Sequence, residues 1–308
     1  MTATLRDWIL LSSLGLIWGA SFTFTTIATA DFGVLTLAAG RLVIGAAVLG
    51  MIMKIRRERL PELFLPENRR FWAFALASAM ITNALPFTFL SFAQRYVDSS
   101  FAGVTMASVP LFVLPLAHML VPGEAMTMRR CGGFILGFIG ILVLFGPDAL
   151  GEIGGETLLV LAQLACLGTA FCYALGSIVA KLAPQVGLLR FGTAALLIAA
   201  VIAVPIAWFG EGLPAAQPSL TGVAALVYLG LFPTGLATLM LLSVIASAGP
   251  GFLSLVNYLV PVWAVVFGIL LLGEGLTWQM GAAVILIFSG LAVSQGIIGI
   301  RRGGHARG

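Results

Sequence analysis

The sequence predicts an all-α integral membrane protein, with ten transmembrane helices arranged as two inverted five-helix repeats around a central cavity. Three observations carry that expectation. The 308-residue chain is 60% apolar and only 9% charged, with a mean hydropathy of +1.09. A soluble domain averages about 25% charged residues, so too few charges remain here to build an aqueous surface. Ten apolar stretches follow one another, each about long enough to cross a hydrocarbon core as a helix. The chain also says nearly the same thing twice. Met106-Ala107-Ser108-Val109-Pro110 leads through an apolar run to Gly123-Glu124, and Asn257-Tyr258-Leu259-Val260-Pro261 leads through another to Gly273-Glu274. Proline to glutamate spans fourteen residues in the first copy and thirteen in the second. Glu124 to Gly140 and Glu274 to Gly290 both span sixteen.

The ten stretches are 8–28, 34–53, 71–93, 101–121, 128–145, 158–180, 188–208, 220–245, 252–272 and 278–298. The first is too long for the apolar core of a signal peptide, and Arg6 and Asp7 before it cancel in charge, so it reads as a span. The second holds Arg41, the one full charge deep in an apolar run. The third, fourth, eighth and ninth carry Pro86, Pro110, Pro233 and Pro261. A proline removes a backbone donor and frees carbonyls in the preceding turn. The fifth and tenth are glycine-laced (Gly133, Gly137 and Gly140; Gly281, Ser289 and Gly290), as close helix–helix seams require. Five helices per copy is an odd number. The second copy, 148–308, therefore enters the membrane from the side opposite to the first, 1–147.

Orientation follows from where Lys and Arg fall. With the N-terminus inside, Arg6, Lys54, Arg56, Arg57, Arg59, Arg69, Arg70, Arg129, Arg130, Lys181, Arg190, Arg301, Arg302 and Arg307 are cytosolic, fourteen of the sixteen basic residues. Only Arg95 lies in an external loop. Both termini are expected in the cytosol, with segments 148–156 and 210–218 outside. The pI near 9.3 then reports topology and excludes a nucleic-acid partner. Cys131, Cys166 and Cys172 sit in apolar context and suggest neither disulfides nor zinc. No phosphate loop, HExxH pair or Cys/His cluster appears, so no cofactor, metal or catalytic constellation is expected, and an ATP-driven pump is disfavoured.

Inverted repeats with interrupted helices at matching positions point to a midplane site between the halves. Arg41 is either an anchor for an anion or a tether for helix ends, because a charge there costs at least about 2.5–3.5 kcal/mol. Asn83 and Asn257 are amides inside spans. Asn257 stands one turn before Pro261, where the first copy has Met106. Trp18, Phe22, Phe87, Tyr173, Phe232 and Tyr258 cluster around the breaks and suit walls of a pocket for a small amphipathic ligand. Pro110 and Pro261 are expected to let their helices flex. His118 stands near the end of the fourth span and reads as an ordinary hydrogen-bonded residue. The midplane holds no carboxylate.

The residues Trp18-Gly19-Ala20-Ser21-Phe22, the Ala39-Gly40-Arg41-Leu42 setting and the paired blocks Pro110…Glu124 and Asn257-Tyr258…Pro261…Glu274 resemble the drug/metabolite transporter superfamily in its EamA-like branch. The resemblance covers essentially the whole chain. It implies ten helices in two inverted repeats about a central cavity. It also implies substrates such as amino acids, other metabolites, amines or drugs, commonly moved outward. The chain is expected in the inner membrane, as a monomer or homodimer. It does not settle the substrate. The expected function is thus secondary or facilitative transport of a small amphipathic metabolite by alternating access. A quaternary-amine transporter with an aromatic box is the alternative within transport, and a non-transporting receptor or scaffold the alternative outside it. Ser-Val-Pro in the first copy replaces Tyr-Leu-Val-Pro in the second, so the pocket is expected to be asymmetric.

Overall fold

A computed structural model describes residues 3–146, 157–184, 186–212 and 217–295. Expected segment 148–156, part of 210–218, the end of the tenth stretch, and Arg301, Arg302 and Arg307 lie outside the described residues. Among those described, the chain is helical and contains no strand. The helices are α1 (Leu5–Thr29), α2 (Val34–Ile55), α3 (Pro66–Ala93), α4 (Ser99–Leu120), α5 (Met128–Phe145), α6 (Thr157–Leu182), α7 (Leu188–Glu211), α8 (Leu220–Gly249), α9 (Val256–Leu272) and α10 (Trp278–Gln295). All but α9 are long and apolar enough to cross a bilayer by length and composition, and α9 is a shorter apolar helix. This is the ten-helix inverted-repeat architecture.

The packing carries the inversion. α1 of the first repeat lies against α8 and α9 of the second, and α6, its counterpart, lies against α3 and α4 of the first. The pairs α2–α7, α4–α9 and α5–α10 each join equivalent helices across the pseudo-two-fold. In the last pair the seam is built from backbone. A Cβ on Gly133 would strike the Gly290 carbonyl and Ser294, and a Cβ on Gly290 would strike Gly133 and Gly137. Gly281 has no neighbour that a Cβ would meet and takes no part. The seam therefore operates within one chain, between the fifth helices of the two halves.

The prolines leave matching distortions. α3 contains a π-helical segment, Ala79–Ala84, just before Pro86, and α8 contains one, Gly230–Leu236, around Pro233. α4 tightens to a 3₁₀ turn at Met106–Ser108, just before Pro110. The start of α9 tightens in the same place, with Asn257 N–H donating to the Ser254 carbonyl (3.2 Å) and Tyr258 N–H to that of Leu255 (3.1 Å). The two halves differ at one boundary. The sequence placed the ninth span from residue 252, but α9 begins at Val256, because a positive φ of 83° at Gly249 and a turn at 254–255 break the chain. Glycine alone takes that φ without strain.

Candidate functional site

The site is built around Arg41, which lies in the middle of α2 and retains only 7% exposure. No carboxylate pairs with it among the described residues. Its Nε donates to the Thr234 hydroxyl at 2.9 Å, and its guanidinium carbon sits 3.8 Å from the centroid of the Phe87 ring. Tyr173 and Tyr228 lie within electrostatic reach of the charge. Described residues offer the terminal nitrogens of the guanidinium no hydrogen bond. A buried cation is thus held from one edge by a hydroxyl and on one face by a ring, with its fork of donors left over.

Local backbone chemistry explains why Thr234 stands where it does. Pro233 has no N–H, which frees the Leu229 carbonyl one turn earlier. The Thr234 hydroxyl donates to that carbonyl at 2.8 Å, leaving its oxygen to accept from Arg41. The π segment also shifts the register, so the Ala237 N–H reaches the Phe232 carbonyl. The Pro233 carbonyl then accepts from the Trp18 indole at 3.1 Å. One proline thereby places both Trp18 of α1 and, through Thr234, Arg41 of α2. In α3 the Asn83 amide, within the π segment, donates to the Ser78 carbonyl at 3.2 Å, five residues back.

The other sequence-designated residues lie in several separate places. Trp18, Phe22, Met106 and Tyr173 meet in one core cluster, with Phe22 and Met106 buried and Trp18 and Tyr173 half-buried. Phe232 is stacked on Tyr228 with centroids 5.2 Å apart, and Tyr228 is stacked on Phe24 at 4.0 Å. Asn257 is half-buried, and its amide makes no hydrogen bond among the described residues. Tyr258, its neighbour, turns the other way: its ring packs on Phe288 of α10 (4.9 Å) and its hydroxyl accepts from Gln295 at 3.4 Å. Pro110 is half-buried and Pro261 buried, both beneath the tightened turns already described. His118 lies away from the centre, with Nδ1 3.0 Å from the Glu124 carbonyl, to which it donates in the tautomer that carries its proton there.

Two residues of the Arg41 constellation, Thr234 and Tyr228, carried no individual signal in the sequence analysis. Tyr228 was findable, since it precedes Phe232 by one helical turn and so shares its face. The Tyr228 hydroxyl donates to the Ile17 carbonyl at 3.2 Å, tying α8 to α1.

A family model described as the EamA-like transporter family matches residues 7–146 and 160–295. The chain belongs to the EamA-like transporter family. It is a multi-pass membrane transporter. Among its relatives is the uncharacterized transporter YoaV of Bacillus subtilis, 24% identical over 91% of this chain and 93% of that protein. The uncharacterized inner membrane transporter YedA of Escherichia coli is 27% identical over 93% and 90%. Protein PecM of Dickeya dadantii is 26% identical over 91% and 89%. A solved crystal structure aligns at a TM-score of 0.67 over 96% of this chain and 100% of the other, at 20% identity, and supports the fold alone.

Proposed function

We propose that this EamA-like transporter carries a small amphipathic metabolite bearing a carboxylate, an amino acid or a related compound, by alternating access and without a catalytic step. The observation that carries the reading is the buried, carboxylate-free Arg41 with unused donors. A planar guanidinium matches a carboxylate with two parallel hydrogen bonds. The aromatic walls suit the apolar body of the ligand, and the unpaired Asn257 amide suits its polar end. A quaternary amine fits less well, because a guanidinium among the same aromatics repels it. The two repeats, 1–147 and 148–308, are the moving halves. The basic loops favour cytosolic termini. The name of the YedA relative supports an inner-membrane location, and the resemblance supports outward movement.

The test is flux. Purified protein in liposomes preloaded with radiolabelled neutral amino acids is expected to release them faster than empty liposomes, and Arg41→Gln to abolish the difference. Liposomes as tight as controls across a library of carboxylate metabolites refute the transport of this class and leave the receptor or scaffold reading standing.

A further inference from the structure

The loop that joins α2 to α3 presents an apolar tip. Leu63, Phe64 and Leu65 stand in a row, exposed to 55%, 94% and 38%. The backbone holds them there. Upstream, Leu60 packs against two core clusters, one containing Met53 and Leu189 and the other Phe71 and Phe191. Downstream, the Glu62 carbonyl accepts from the Asn68 side-chain amide at 2.9 Å and from the Trp72 indole at 3.4 Å. The Asn68 N–H donates to the Leu65 carbonyl at 3.0 Å. Between these fastenings the chain turns at Leu63 and Phe64.

Cations surround the tip. Segment 54–70 carries Lys54, Arg56, Arg57, Arg59, Arg69 and Arg70 against Glu58, Glu62 and Glu67. Arg190 of α7 takes Glu58 at 3.1 Å. All six cations are exposed, and among the described residues none of them makes an ion pair, whereas Arg130, Lys181 and Arg190 are all paired. Arg57 is set apart by its backbone as well. Its φ of 54° is the one positive φ outside glycine among the described residues. Its N–H donates to the Lys54 carbonyl (3.1 Å) and the Glu58 N–H to the Met53 carbonyl (3.0 Å), the closing bonds of a helix that stops on a left-handed residue. Glycine takes that conformation at least cost, so a cation stands where the backbone favours glycine.

The flanking spans lead from lipid to this loop. Met51 and Ile55, one turn apart at the end of α2, are exposed to 61% and 73%, as side chains facing acyl chains are. Trp72, near the start of α3, is of a type enriched at membrane interfaces. Apolar side chains suit the headgroup–acyl boundary, and guanidinium forks suit phosphates. We infer that the α2–α3 loop docks on anionic lipid, with Leu63, Phe64 and Leu65 sunk at the headgroup boundary and the arginines around them, Arg57 and Arg59 foremost, holding headgroup phosphates. The occupant is lipid because only residues 56–65 separate the two spans, which keeps the tip beside the bilayer, and because the unpaired charge complements an anionic leaflet. The inference is independent of which ligand the protein carries.

The experiment uses the full chain in nanodiscs, with Cys131, Cys166 and Cys172 replaced by alanine. A nitroxide is attached at Phe64→Cys, or at Glu67→Cys as a reference, both exposed positions. Its accessibility to oxygen, which concentrates in lipid, is compared with that to a water-soluble nickel chelate. In discs containing phosphatidylglycerol, the label at 64 is expected to favour oxygen and the label at 67 the chelate. Separately, a donor dye on Met51→Cys measures energy transfer to trace dye-labelled phosphatidylglycerol or phosphatidylcholine. Phosphatidylglycerol should be enriched about fivefold, the equivalent of one arginine near an anionic surface. The enrichment should vanish as salt rises from about 0.01 M to about 1 M and the screening length falls from about 30 Å to about 3 Å. Arg57→Gly with Arg59→Gln should lower the enrichment and leave the melting temperature at or above wild type, since glycine suits the backbone at 57. Should that variant not fold, the salt series alone decides. Chelate access at 64 equal to that at 67 overturns the insertion and leaves a soluble partner as the occupant of the tip. Equal transfer to the two lipids at low salt, or an enrichment that salt does not move, overturns the headgroup contact.

Discussion

Arg41→Gln separates anchor from tether. Burial of the charge at mid-helix opposes folding by at least about 2.5–3.5 kcal/mol. The structure sets two gains against this. The bond to Thr234 at 2.9 Å is worth about 1.5–3 kcal/mol as a charged hydrogen bond. The Phe87 ring at 3.8 Å contributes up to about 2 kcal/mol when desolvated. Cost and gain nearly cancel, so Arg41→Gln should leave the unfolding temperature within a few degrees of wild type. A bound carboxylate is another matter. At about 4 Å and an effective dielectric near 20 the charge pair reaches about 4 kcal/mol, and a single charged hydrogen bond gives about 1.5 kcal/mol. The expected loss of affinity is therefore about 10- to 1000-fold for carboxylate ligands. Amide analogues of the same ligands should lose little. The assay is a thermal-shift screen against paired carboxylates and amides, followed by calorimetry on the hits. Wild-type carboxylate affinity in a folded Arg41→Gln protein refutes the anchor. A collapse of stability with no ligand effect makes Arg41 a tether.

Asn257→Leu should preserve thermal stability, since its amide has no partner to lose, and weaken ligand binding by about five- to 150-fold, the equivalent of a lost buried hydrogen bond of about 1–3 kcal/mol; unchanged binding in the stable variant removes α9 from the site. Gly133→Leu should unfold the protein or lower its melting temperature sharply, because a Cβ there meets the Gly290 carbonyl, whereas Gly281→Ala, with open space around it, should be near neutral by the same melt. The Ser219 hydroxyl and N–H hold the Asp31 carboxyl below the usual range. A lowered folded-state pKa contributes stability above the unfolded value of about 3.9 and loses it as pH falls through the folded value. The Asp31 contact should therefore be insensitive to pH between 5 and 8, and Asp31→Asn should reduce the acid dependence of the melt below about pH 4 by Asp31's share; an Asp31-dependent transition near neutrality contradicts the assignment.

The span pattern was legible because apolar runs of this length have few alternatives, and because Pro110…Glu124 and Pro261…Glu274 mark equivalent turns. The prolines also announced where helices would distort. What they could not announce was the user of each freed group. That Thr234, rather than water or a neighbour, takes the Leu229 carbonyl depends on a π register visible only in three dimensions. The start of α9 was placed four residues early because Gly249-Pro250-Gly251 reads equally as a loop before a helix or a break inside one. Asn257 and Tyr258 were grouped by adjacency. Successive helical residues point about 100° apart and do not share a face, and Tyr258 packs on α10.

The basic residues gathered on one face have a second consequence in this fold. The positive-inside bias fills one face with Lys and Arg, and the carboxylates of that face are drawn to side chains instead of helix starts: Glu58 to Arg190, and Glu124 to Lys181 and Arg130. These pairs are partly exposed, so each is worth about 1 kcal/mol or less. On the other face the carboxylates find helix N–H groups, with only Arg95 among the loop cations. Arg95 is itself bound to the Phe32 carbonyl at 2.8 Å. Carboxylates at related places in the two halves therefore keep different company, backbone donors where loop cations are scarce and side-chain cations where they abound.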